Sequence, residues 1–137
     1  MGNEMTDTGR VMAELEIRNL VARYCHAYDQ GRVDEYCELF VEDASFQVPP
    51  DITADGADQI REKIAAGAVG APPAQHVTYN TVIDVGDDGS AKGWSDFMYV
   101  AAGPENTISI VGRYLDDFVL HDGTWKFQRR QVEFVGR

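Results

Sequence analysis

The groups in this sequence able to move a proton near neutral pH are three histidines, His26, His76 and His121, and the carboxylates that can reach them. Asp29 stands apart among the carboxylates. It closes the stretch YCHAYDQG, in what reads as the last turn of a helix, where the dipole is already negative and a cation would be favoured. An aspartate there can simply start the next loop by bonding nearby backbone groups. It also sits at the rim of an apolar stripe, beside Tyr24, Cys25 and Tyr28, and a partly desolvated carboxylate wants a proton donor. A neutral imidazole N–H meets that need. In return the carboxylate fixes the tautomer and leaves the other ring nitrogen free to act as a base.

His76 opens the first long strand pattern. Alternation puts His76, Thr78, Asn80 and Val82 on one face, with Val77, Tyr79, Thr81 and Ile83 on the other. The mixed polarity of the first face suits the wall of a pocket and makes Asn80 a candidate substrate contact. Taken alone, His76 reads as a hydrogen-bonded or surface histidine near a strand start. His121 falls in the turn HDG and reads as solvated; His26 lies off the apolar stripe and reads as peripheral. Arg129 and Arg130 are neighbours on the last strand, so one faces in and one out. The inward one could bind a leaving anion or a developing oxyanion. The plain reading of either is a surface ion pair. The sequence has no nucleotide-binding glycine loop, no P-loop, no GxSxG and no metal-ligand spacing of Cys and His. The expected chemistry is therefore that of ordinary side chains, with no cofactor and no metal.

The elements that must position these residues divide the chain in two. Ile17, Leu20, Val21, Tyr24 and Tyr28 recur at helical spacing, and Gly31 is a natural stop. VDEYCELFVED reads as a second helix with Val33, Tyr36, Cys37 and Phe40 on one side. SFQVP reads as a short strand stopped by prolines. A third helix is expected from about Ala57 to Ala66, capped by Asp55 or a neighbour and ended by Gly67. The second half reads as four long strands, QHVTYNTVIDV, SAKGWSDFMYVAA, TISIVGRYLDDFVL and TWKFQRRQVEFV, joined by the turns GDDG, GPEN and HDG. Helices in front of a meander predict an α+β domain, with a long helix and a curved sheet enclosing a pocket.

The chain has 137 residues, 44% of them hydrophobic, which is one domain's worth of core. Residues 1–9 read as a polar leader and 10–137 as the domain. A formal net charge of −11 argues against nucleic acid and anionic membranes as partners. No apolar run reaches the roughly 18 residues needed to span a bilayer. Cys25 and Cys37 read as buried free thiols of a reducing, cytoplasmic compartment.

Three segments, LVARYCHAYDQGRVDEYCELFVEDASF, AQHVTYN and GRYLDDFVLHDGTWKF, resemble the SnoaL-like branch of the nuclear transport factor 2-like superfamily. The resemblance runs from about Ala13 to Phe134 and implies a cone-shaped α+β barrel. This scaffold hosts many activities. The nearest pattern is that of cofactor-free lyases: scytalone dehydratase, bile acid 7α-dehydratase and hexachlorocyclohexane dehydrochlorinase. The resemblance implies that Asp29 orients and charges His76, which acts as general base. It further implies that Tyr24 or Tyr28 serves as acid or hydrogen-bond donor and that Arg130 attends the departing anion. Phe46, Phe97 and Tyr99 fall on apolar lining positions, which implies a hydrophobic substrate. Ala101 stands near the place of a second histidine in scytalone dehydratase, so that particular substrate is not expected.

The sequence thus predicts a cofactor-independent lyase, of dehydratase type, acting on a small hydrophobic or cyclic molecule. An isomerase or polyketide cyclase would use the same base. A ligand-binding domain or an oxygenase small subunit would share the fold without the chemistry. The lyase relatives imply a homotrimer, and other branches a dimer.

Overall fold

The computed structural model describes residues 5–136. The elements are α1 (Asp7–Asp29), α2 (Val33–Glu38), β1 (Phe40–Val48), β2 (Ile52–Asp55), α3 (Ala57–Lys63), a 3₁₀ turn (Ala65–Ala68), β3 (Ala74–Val85), β4 (Ser90–Ala101), β5 (Thr107–His121) and β6 (Thr124–Phe134). The six strands form one mixed sheet in the order β2-β1-β6-β5-β4-β3, with β1 and β6 parallel and every other pair antiparallel. β2 and β3 do not pair, so the sheet stays open. Irregularities in register between Tyr79 and Val82, Tyr99 and Val100, and Asp117 and Phe118 help bend it around the helices. This is the α+β cone that the sequence predicts.

α1 is held at both ends by its own residues. The Thr6 hydroxyl accepts from Gly9 N at 3.0 Å, a cap worth about 1 kcal/mol. At the other end Gly31 N donates to Tyr28 O at 3.0 Å and Arg32 N to Ala27 O at 2.8 Å. This pairing is a Schellman stop, and it needs the left-handed φ of +69° that Gly31 supplies. The buried face of α1 (Ala13, Ile17, Leu20, Val21 and Tyr24) packs into the concave side of the sheet. There it meets Phe40, Phe46, Tyr114, Phe118 and Phe127, which form the main core with it. Gly112 permits one close approach in that core: a Cβ there would lie 2.5 Å from the ring of Phe97. Phe97 in turn stacks on Tyr114, with centroids 4.1 Å apart.

The structure corrects several boundaries. α1 begins at Asp7, inside the expected leader, whose residues 1–4 lie outside the described residues. The second helix ends at Glu38, and its expected remainder, FVED, is strand. Phe40 is already aligned with Phe127 of β6, and that nonlocal ladder overrides the helical spacing. β2 is absent from the sequence reading; it folds back on β1 and pairs Val48 with Ile52 and Ser45 with Asp55. The third helix stops at Lys63, its N-cap is Gly56, and Gly67 lies within the 3₁₀ turn. Cys25 is buried, but Cys37 is only partly so. No helix among the described residues is long and apolar enough to cross a membrane, which says nothing of strands.

Candidate active site

Asp29 is the last residue of α1, and His76 is the third residue of β3. Their side chains meet across 47 residues of sequence. Asp29 Oδ2 accepts the backbone N–H of His76 at 2.8 Å, and Oδ1 lies 2.6 Å from Nδ1 of the ring. A carboxylate can only accept, so Nδ1 carries a proton, and in the neutral imidazole that leaves Nε2 with its lone pair. The Schellman stop fixes the position of the carboxylate, and the strand ladder fixes that of the histidine. Both side chains are about one-seventh exposed, at 13% and 15%. The pair is therefore reachable from a cavity yet poorly solvated.

Three tyrosines wall the imidazole. The ring centroids of Tyr99, Tyr28 and Tyr24 lie 4.8, 5.0 and 6.2 Å from it. The cavity that His76 enters measures about 260 Å³. Tyr24, Tyr28, Phe46, Phe97 and Tyr114 line it together with His76. Val48, Ile110, Val132 and Phe134 complete an apolar wall, and Lys63 stands among the lining residues with its amine held by Thr53 O and Gln59 Oε1. Burial raises the Tyr28 hydroxyl above its ordinary pKa, helped by the neighbouring Tyr24, Tyr99 and Asp29. It stays protonated at neutral pH. It has no hydrogen-bond partner among the described residues and is free to donate. Gly67 makes room for it, since a Cβ at that position would lie 2.9 Å from the Tyr28 oxygen.

Three expected substrate or anion contacts, Asn80, Arg130 and Tyr99, do not line the cavity. Asn80 adopts a left-handed φ of 52° in a β3 irregularity, faces solvent and donates to Asp96 Oδ2 at 3.1 Å. Alternation breaks at this bulge, which is why Ile83 is buried and Val82 exposed. Arg130 does face inward, but it does not line the cavity. Its guanidinium is fully buried and forks Asp116 through Nε and Nη2 at 2.8 and 2.9 Å. It lies against the rings of Tyr114 and Tyr24, at 3.6 and 4.3 Å from their centroids. Burial works against its charge, but Asp116 outweighs that and holds the guanidinium firmly protonated. Tyr99 packs on His76 and is not among the residues lining the cavity.

The sequence reading misses Tyr36 and Tyr114. The rings of Tyr24 and Tyr36 are 5.0 Å apart, and those of Tyr24 and Tyr114 are 5.9 Å apart. Their signal is visible afterwards: one stands on the inward side of α2, the other at an inward position of β5. A larger groove of about 590 Å³ lies between α1, α2 and the start of β6, and includes Arg23, His26 and Glu35. His26 has no carboxylate partner among the described residues, so the groove does not repeat the Asp29–His76 geometry. His121 is exposed beside Asp122.

Comparisons with known proteins agree with this architecture. A solved structure of a candidate scytalone dehydratase from Novosphingobium aromaticivorans superposes with a TM-score of 0.82 at 25% identity, covering 91% of this chain and 85% of that one. A protein of unknown function from Mycobacterium tuberculosis gives the same TM-score and identity over 90% and 72% of the two chains. The β subunit of a candidate aromatic-ring-hydroxylating dioxygenase from N. aromaticivorans reaches 0.78 at 19% identity over 92% and 91%, a likeness of fold alone. No curated protein sequence matches the chain significantly. The model of the SnoaL-like domain matches residues 9–131. With nearly its whole length matched, the chain belongs to the SnoaL-like domain family.

Proposed function

We propose that the protein is a cofactor-independent lyase that eliminates water from a small, largely hydrophobic carbonyl compound, with His76 as the base. One observation carries this reading: Asp29 accepts from both the backbone N–H and the ring Nδ1 of His76, and the imidazole so held lines a largely apolar cavity. His76 Nε2 removes a proton from the carbon beside the carbonyl. The released electron pair forms the new double bond, and the hydroxyl on the next carbon leaves with its own bonding pair. Tyr28, 5.0 Å from the imidazole between centroids, gives that hydroxyl a proton so that it departs as water. The imidazolium then returns its proton to Tyr28, and both residues are restored. Asp29 stabilises the imidazolium between these steps. A base so placed contributes about 10² to 10⁴ in rate.

The cavity of about 260 Å³ is smaller than the roughly 300–1,000 Å³ of sites for drug-sized ligands. It suits one or two rings. The test is a screen of cyclic β-hydroxy ketones for loss of water, read by the absorbance of the conjugated product. The wild-type protein should form that product, and His76→Ala should be folded and slower by about 10³. An equally active His76→Ala would end the proposal. Similarity to a dioxygenase β subunit makes co-purification with a larger chain the outcome that would replace it.

The same reading includes a homo-oligomer, a trimer before a dimer. Val82, Trp94 and Val111 are exposed on the sheet, with Val82 and Trp94 paired across β3 and β4. A second copy would cover this apolar surface. Light scattering should give a multiple of the 15.2 kDa chain, and Trp94→Lys should reduce it.

A further inference from the structure

The larger groove between α1, α2 and the start of β6 shares no lining residue with the His76 cavity. Arg23, His26 and Ala27 are three and four residues apart, so they share one face of α1, while Tyr24 and Tyr28 line the cavity from the next face. Backbone bonds pin the walls of the groove to one another. Arg32 N donates to Ala27 O at 2.8 Å and joins the start of α2 to α1. Phe127 N donates to Leu39 O at 2.8 Å and joins β6 to the end of α2.

The charge of this groove runs against that of the chain. Carboxylates outnumber Lys and Arg by 23 to 12 over the whole sequence, yet the groove sets Arg23, Arg32 and Lys126 against Glu35 and Glu38. Arg32 is engaged by Glu35 at 3.4 Å. Among the described residues, Arg23 and Lys126 are the two Lys or Arg side chains with neither a hydrogen bond nor an ion pair; every other one holds a carboxylate or a neutral oxygen. Both of these cations line the groove, and both also line the hollow of about 120 Å³ beside it. Glu38 lies in the same lining and pairs with neither. Ala27 is buried and Leu39 half-buried, which gives the groove an apolar patch between its charges.

We propose that this groove is a second ligand site, for the carboxylate of a small molecule whose body is an apolar ring. The guanidinium of Arg23 offers the planar fork that matches a carboxylate, and Lys126 adds a point charge from the facing strand. His26 supplies a ring N–H between them and the ring rests on Ala27 and Leu39. A surplus of one positive charge suits a monoanion, and the volume of about 590 Å³ falls within the roughly 300–1,000 Å³ of small-molecule sites. The inference does not rest on the lyase reading, because the two sites share no residue.

The probe is 2-naphthoate, titrated into the nitrogen-labelled full chain and followed by NMR. Amide signals of Ala27, Leu39 and Lys126 report the groove, that of His76 reports the cavity, and affinity is read from the groove signals. Neutral 2-naphthamide should bind there about tenfold more weakly, having lost its charge-assisted bonds. Arg23→Gln and Lys126→Gln should each weaken naphthoate about fivefold and leave the amide unchanged. Glu38→Gln should tighten naphthoate about twofold, since it removes the unpaired opposing charge. Raising salt from about 0.01 to about 0.1 M shortens the screening length from about 30 to about 10 Å and should weaken naphthoate alone. Equal affinity for naphthoate and naphthamide, or a Lys126→Gln variant that binds naphthoate as tightly as wild type, overturns the proposal. So do naphthoate shifts confined to the His76 side. Movement of the groove signals with protein concentration alone would assign the groove to a second copy of the chain and overturn it as well.

Discussion

Both carboxylate oxygens of Asp29 are taken by one residue, His76, through its backbone N–H at 2.8 Å and its ring Nδ1 at 2.6 Å. Two bonds from different parts of the histidine fix the position of the strand and the rotation of the ring together. The β3–β4 ladder already holds that backbone, so the second bond ties the end of α1 to it.

Asp29→Asn tests what the charge adds to this geometry. An amide can still accept one of the two bonds, so the fold should survive. It no longer stabilises an imidazolium and can present an N–H to the ring, which favours the wrong tautomer. Turnover should fall by about 10² to 10⁴ with substrate binding little changed. Nitrogen NMR of the imidazole should show the proton leaving Nδ1.

Gly67→Ala should act on Tyr28 alone. The added Cβ would lie 2.9 Å from the Tyr28 oxygen, and the free end of that side chain is what can move. Stability should change by about 1 kcal/mol or less, and turnover should drop about tenfold as the hydroxyl is displaced. Tyr28→Phe removes the clashing atom. Adding Gly67→Ala to it should therefore cost nothing further in kcat, which makes the pair strongly non-additive.

Asp116 and Arg130 should show the asymmetry of buried ion pairs. Asp116→Ala leaves a guanidinium in the core with its main counter-charge gone. Urea unfolding should report a loss of about 3–5 kcal/mol. The double variant Asp116→Leu with Arg130→Met should be much less destabilised, since no charge remains to desolvate. Equal losses in both variants would mean that packing, not charge, dominates there.

Alkaline pH should unfold the protein through its tyrosines. Burial raises the pKa of Tyr24, and raises those of Tyr36 and Tyr114 further, above the ordinary 10.0. Below pH 10 both folded and unfolded chains hold these protons, and the stability is fully present. As the pH rises beyond 10, the unfolded chain releases them and the folded one retains them. Stability then falls toward the folded values by at most about 1.4 kcal/mol per pH unit for each tyrosine. Tyr36→Phe should flatten that slope by one such share. Denaturant midpoints between pH 9 and 11 measure it, on a scale set by the tyrosine reference of about 10.

The sequence makes the helix of Asp29 and the strand of His76 legible, because both rest on local signals: an apolar stripe with a glycine stop, and an alternating run after a loop. Their partnership is carried by a resemblance and not by periodicity. FVED reads as helix because Phe40 continues the spacing of Tyr36 and Cys37; only pairing with β6, far away in sequence, makes it strand. Asn80 is misplaced because alternation assumes a regular strand, and a left-handed residue in the middle of β3 resets it. Parity leaves Arg129 and Arg130 equivalent. Each faces an aspartate on β5, Asp117 and Asp116; the difference is that Arg130 and Asp116 lie on the buried side of the sheet, whereas Arg129 is only partly buried. Tyr36 and Tyr114 pass as ordinary core aromatics, since nothing local shows that their hydroxyls gather around Tyr24.

β3 is the outermost strand on its side of the sheet, and such a strand offers unpaired N–H groups to any other chain. The backbone bond from His76 to Asp29 occupies one of them. The carboxylate that orients the imidazole is therefore also a guard on an exposed edge. Where it is lost, the His76 amide opens to solvent exchange and to strand addition by a neighbouring molecule. Solubility and catalysis are thus tied to the same two oxygen atoms, and a variant that loses one can lose both.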